Sequence, residues 1–83
     1  MKLYAIYNIE SDVLMLTSVS PTPEMVGDEG VLLSIKSYEQ KTGEWLAVMK
    51  NNNITILDRQ EYYQLFGDQD MEFDKVAYFI KEE

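Results

Sequence analysis

Apolar residues in this chain fall in short runs separated by glycine, proline, asparagine and acidic residues, the punctuation of a strand-rich fold. The first run, Leu3 to Tyr7, stops at Asn8-Ile9-Glu10-Ser11-Asp12, which predicts a strand entering a hairpin loop. Val13 to Val19 is a second strand, and its nearly continuous apolarity predicts cover on both faces. Ser20-Pro21-Thr22-Pro23 ends it, because proline donates no ladder hydrogen bond and restricts the residue before it. Thr22 is placed to cap one helical turn through Val26, with Pro23 at its first position, and Gly27 to Gly30 forms an acidic connection. Val31 to Tyr38 and Glu44 to Lys50 predict two further strands around the turn Lys41-Thr42-Gly43, paired as a second hairpin. Asn51-Asn52-Asn53 tolerates positive φ and leads into a fifth strand at Ile54 to Leu57, in an up-and-down order.

Asp58 stands three residues before Glu61, the spacing of a capping box, and Tyr62, Leu65 and Phe66 follow at helical spacing before Gly67. This predicts the principal helix. A sixth strand reaches from Phe73 to Ile80, with Val76, Tyr78 and Ile80 alternating against Lys75, Ala77 and Phe79. The expected fold is a single α+β domain over residues 1–83: an antiparallel sheet of five to six strands with one principal helix.

Composition narrows the function more than the fold. The 83 residues include no cysteine and no histidine, which removes disulfides, thiolate zinc sites, cysteine nucleophiles and every role for imidazole as base or ligand. Four scattered glycines, Gly27, Gly30, Gly43 and Gly67, make no phosphate loop. Five serines have no histidine to act as their base. Asp68 and the alternating acids after it open like a calcium loop, but Phe73 and Phe79 stand where an EF-hand needs glycine and a bidentate glutamate. The expectation is therefore a protein that is not an enzyme and takes neither cofactor nor metal.

Seven cations against fifteen carboxylates leave a net charge of −8. Such a surface repels phosphate backbones and anionic lipid and attracts basic proteins. Direct nucleic-acid or membrane binding is not expected. The apolar N-terminal run is too short for a membrane span or a signal sequence, so a cytoplasmic location is expected.

Two surfaces stand out as candidates for binding a partner. In an extended backbone Asp68, Asp70, Glu72 and Asp74 would lie on one side about 6.6 Å apart, at about 3.3 Å rise per residue, resembling the phosphate repeat of a nucleic-acid strand. Glu24, Asp28 and Glu29 would extend that surface. The bland alternative is a solvated loop with Met71 and Phe73 tucked inward, and the change of apolar parity after Phe73 favours it. The other surface is aromatic: Tyr62 and Tyr63 are about 100° apart on a helix, so Tyr63 is expected outside the core stripe.

The string from Tyr7 to Glu24, Tyr-Asn-Ile-Glu-Ser-Asp-Val-Leu-Met-Leu-Thr-Ser-Val-Ser-Pro-Thr-Pro-Glu, resembles one hairpin of the phage uracil-DNA glycosylase inhibitor family, small acidic DNA mimics. It covers under a quarter of the chain. That family carries its inhibitory Glu-Ser-Ile strand and an acidic helix ahead of this hairpin, where only six residues stand here, so no inhibitory residue carries over. Small size, acidity and lack of catalytic apparatus also resemble phage anti-CRISPR and anti-restriction proteins. The function these features imply is a phage-type inhibitor that binds a basic host protein, a nucleic-acid enzyme, by nucleic-acid mimicry. The alternative is an assembly protein that forms a homo-oligomer through exposed tyrosines or strand edges.

Overall fold

The computed structural model describes residues 1–39, 43–67 and 72–81. Six strands and two short helices follow in the order β1 (Lys2–Asn8), β2 (Val13–Thr17), α1 (Pro23–Val26), β3 (Val31–Ser37), β4 (Gly43–Lys50), β5 (Asn53–Asp58), α2 (Arg59–Phe66) and β6 (Lys75–Lys81). The architecture is mostly antiparallel sheet with helical cover. The strands divide into two three-stranded sheets, ordered β2-β1-β3 and β5-β4-β6, where the sequence predicts a single sheet. Among the described residues no helix is long and apolar enough to cross a membrane.

Two local predictions about pairing are corrected. β3 and β4 do not form a hairpin: β3 pairs with β1, and β4 pairs with β5 and β6. The up-and-down order fails as well, since β2 and β3 flank β1 on opposite sides and both run antiparallel to it. Residues 18–30 therefore connect two parallel strands, and they do so across the outer face of the first sheet. Alternation along a strand reveals its two faces but not its neighbour, which is why pairing was not readable.

Directly opposed residues in an antiparallel pair share a face. By this register the inner face of the first sheet carries Leu3, Ala5 and Tyr7 beside Leu14 and Leu16 of β2. The second contributes Trp45, Ala47 and Met49 beside Ile56 of β5 and Ala77 and Phe79 of β6. Leu3, Ala5, Leu16, Tyr38, Trp45, Ala47 and Ile56 form one buried cluster, with Ala77 and Phe79 packed against it. The core side of β6 is thus the Ala77–Phe79 side, while Val76 and Tyr78 are exposed.

The outer faces of the central strands are covered in part: Ile6 on β1 and Leu46 and Val48 on β4 are buried. Leu46, Val48 and Leu57 lie beneath α2, whose Tyr62 and Phe66 rings meet Phe73 at 6.4 and 5.3 Å. Ile6 lies beneath the 18–30 crossover, whose Pro21 and Met25 border a groove with it. On β2, however, Val13 and Met15 are 56% and 47% exposed, against the expectation of cover on both faces. The crossover leaves this edge of the sheet uncovered.

Local signals account for the element ends. Asp58 and Glu61 form the reciprocal capping box of α2, each side chain accepting from the other's backbone N–H. Thr22 accepts from Met25 N–H at the start of α1. Asn51 and Asn52 both adopt positive φ, 53° and 64°, and close the β4–β5 hairpin as a two-residue turn whose twist matches that of the strands. Two ion pairs clasp the sheets at their edges: Lys75 of β6 to Asp12 beside β2 at 2.9 Å, and Lys36 of β3 to Glu61 of α2 at 3.0 Å.

Candidate functional site

Four chain segments converge at one end of the two-sheet stack. The Ile9 N–H in the β1–β2 turn donates to Gly30 C=O at 2.9 Å, joining that turn to the segment before β3. Lys75 reaches Asp12 in the same turn. The Asp74 carboxylate accepts from Asn51 N–H at 3.0 Å, and the Asp74 N–H donates to Met49 C=O, which brings the β4–β5 turn and the start of β6 to the same place. Glu10, Asp12, Asp28, Glu29 and Asp74 therefore collect at this end, with Glu72 two residues from Asp74 along the chain and Lys50 and Lys75 as the cations.

The chain's charge is sorted by element. The six strands hold five lysines and two carboxylates, while the rest of the chain holds two cations and thirteen carboxylates, so the strands are at +3 and everything else at −11. At the opposite end several charges are engaged by neighbours. There Arg59 forks onto Glu44, Lys36 binds Glu61, and Asp58 caps α2. Among the described residues Glu10, Glu24, Asp28, Glu29, Glu72 and Asp74 form no salt bridge. Five of these six unpaired carboxylates lie in the turns and connections at or next to the loop end, and α2 carries no basic residue in its last turn.

The sequence-predicted residues are placed as follows. Glu24, in the first turn of α1, is exposed, as is Glu29. Asp28 is exposed but locally engaged, its carboxylate accepting from Gly30 N–H at 2.8 Å. Glu72 is exposed and lines a cleft of about 480 Å3 with Arg59, Tyr62, Phe73 and Tyr78. Asp74 is exposed and holds the Asn51 turn. Residues 72–74 precede β6 and are not strand, and Phe73 is half-buried. Asp68, Asp70 and Met71 lie outside the described residues. Tyr63 is 54% exposed, its ring edge-on to Tyr62 at 6.2 Å, and it sits on α2 apart from the strand turns of the acidic end.

Sequence reasoning missed Glu10 and Asp12, which read only as turn residues. Asp12 adopts φ 57°, and it anchors the end. The Tyr7 phenol donates to Asp12 Oδ1, and Lys75 holds Oδ2. The hydrogen bond from Tyr7, then Lys75, hold the Asp12 carboxyl below its ordinary range; the same bond, with burial and the charges of Asp12 and Asp74, pushes the Tyr7 phenol up.

These shifts set two pH limbs. A lowered carboxyl contributes stability that is present above its unfolded value, about 3.9, and is lost as pH falls through the folded one. A raised phenol contributes stability that is complete below about 10 and is lost as pH rises through its folded value. Tyr7→Phe should remove the alkaline limb and shrink the acid limb without abolishing it, because Lys75 still holds Asp12. Thermal midpoints from pH 2.5 to 11 check this, and an unchanged alkaline limb would show that the phenol does not hold Asp12.

No family model matches the chain, and no curated protein or solved structure matches it either.

Proposed function

We propose that the protein is a non-enzymatic binding module whose acidic loop end occupies a basic surface of a partner protein and excludes nucleic acid from it. The observation carrying this reading is the segregation of charge: Glu10, Asp12, Asp28, Glu29 and Asp74, from three chain segments, meet at one end of the stack with Glu72 two residues further along the chain, against two lysines. Carboxylates fixed on turns that strands hold in place present their charge at little further entropic cost, as a competitor of phosphates must. A partner's lysines and arginines would meet Glu10, Asp28, Glu29 and Glu72 first, while Asp12 and Asp74 hold the turns in position. Of the row expected at residues 68–74, Glu72 and Asp74 are described; they precede β6 and are not strand. Inhibition of a host nucleic-acid enzyme, in the manner of the phage inhibitors that the first hairpin resembles, is the use such a surface fits.

The test is affinity capture from a bacterial lysate at low and then moderate salt. A basic nucleic-acid-binding protein should be retained, released as salt rises and displaced by added DNA. Replacing Glu10, Asp28, Glu29 and Glu72 with their amides should weaken that capture by roughly tenfold or more, mostly through the association rate. Capture that survives both the salt and the fourfold replacement would sink the proposal.

A further inference from the structure

The four edge strands differ in how they are guarded. β6 has a lysine at each end, β3 carries Lys36, and β5 ends in Asp58. Edge charges of this kind discourage pairing with another chain. β2, Val13-Leu14-Met15-Leu16-Thr17, has no charge, no proline and no glycine, although it comes from a chain of which 27% is charged. Its outward residues Val13 and Met15 are 56% and 47% exposed, and Val19, just beyond its end, is 71% exposed. Beside them runs an open groove of about 330 Å3 bordered by Ile6, Met15, Thr17, Val19, Pro21 and Met25, with no charged residue on its walls.

We infer that β2 pairs antiparallel with β2 of a second copy, joining the two first sheets into one six-stranded sheet about a two-fold axis at Met15. Electrostatics selects this occupant. Two chains of −8 repel at most approaches, but β2 meets its copy without opposing any carboxylate. In this register Met15 faces Met15, Val13 faces Thr17, and each Asp12 faces Ser18 of the other copy. The two Asp12 carboxylates, six positions apart along the joined strands, are then about 20 Å from each other at about 3.3 Å per residue. That exceeds the Debye length of about 8 Å at physiological salt. A basic partner finds nothing to pair with on β2, whereas a second copy supplies a matching apolar row and main-chain hydrogen bonds. The acidic ends then point away from each other, so the dimer carries two of them.

Sedimentation equilibrium of the full chain tests this independently of any captured partner. A monomer–dimer equilibrium is expected that tightens as salt is added, because screening relieves the −8 repulsion, whereas the acidic end should bind its partner more weakly under the same change. Met15→Glu places like charges face to face and should weaken the dimer at least about tenfold. Val13→Glu should weaken it less, and Val13→Glu combined with Thr17→Lys should restore it, since the two positions face each other only between copies. The fluorescence of Trp45 reports whether each variant is folded; if Met15→Glu is not, the Val13 and Thr17 set decides. A chain that stays monomeric to about 1 mM at every salt concentration, a folded Met15→Glu variant that dimerises normally, or a double variant no tighter than Val13→Glu alone overturns the inference.

Discussion

Leu3→Ala should lower the free energy of unfolding by about 3 to 4 kcal/mol. Leu3 is fully buried in the cluster both sheets share, with Trp45, Tyr38 and Leu16. Removing its branch takes apolar surface out of the core and leaves a void that two hydrogen-bonded sheets cannot easily close. An 83-residue domain has only about 4 to 12 kcal/mol of total stability, so this one change should bring the protein near the edge of folding at 37 °C. Urea titration followed by Trp45, the chain's single tryptophan, measures it directly, because the probe sits in the same cluster. Leu65→Ala, on the 64% exposed face of α2, is the control and should cost no more than about 0.5 kcal/mol. A Leu3→Ala loss under about 1 kcal/mol would mean that the sheets do not share a core in this way.

Features set by neighbouring residues were readable from the sequence, and features set by distant ones were not. The capping box at Asp58 and Glu61, the Asn51-Asn52 turn and the exposure of Tyr63 each follow from chemistry within a few positions. The partner of each strand does not, since β1 finds β3 only after a crossover of 13 residues, numbers 18 to 30. The acidic surface has the same history. Asp28, Glu29 and Asp74 are conspicuous as charges, but Glu10 and Asp12 join them only because Ile9 bonds to Gly30 and Lys75 reaches across from the other sheet. An uncharged β2 signals nothing until the topology places it at an edge.

The charge pattern connects the two proposed surfaces. Concentrating −11 in turns, helices and termini leaves strand edges that would otherwise be protected by like charge, and lysines restore that protection on β3 and β6. Only β2 is left neutral. A single salt titration therefore moves the two contacts in opposite directions, which separates the failure of one from the failure of the other.

Ala47→Leu is expected to destabilise by about 1 to 3 kcal/mol, and here the sign carries the information. Burial alone argues the opposite, since three more buried carbons would contribute about 2 kcal/mol of favourable transfer. Ala47 has no exposed surface, lies between Ile56 and Ala77 in its own sheet, and belongs to the same cluster as Ala5 on the central strand of the other. The sheets close on each other at both edges, β2 over β6 and β3 over β5, and are clasped there by the Asp12–Lys75 and Lys36–Glu61 pairs. With the edges tied, the central strands have no freedom to move apart, so the larger side chain must strain its own rotamer or displace Trp45. Small residues at the middle of both central strands are what allow the edges to meet. Thr55→Val, on the exposed outer side of neighbouring β5, adds apolar surface outside that confined space and should change stability by less than about 0.5 kcal/mol. A gain from Ala47→Leu would show instead that the middle of the stack has room to spare, and that the packing of β2 on β6 and β3 on β5 does not fix the spacing of the sheets.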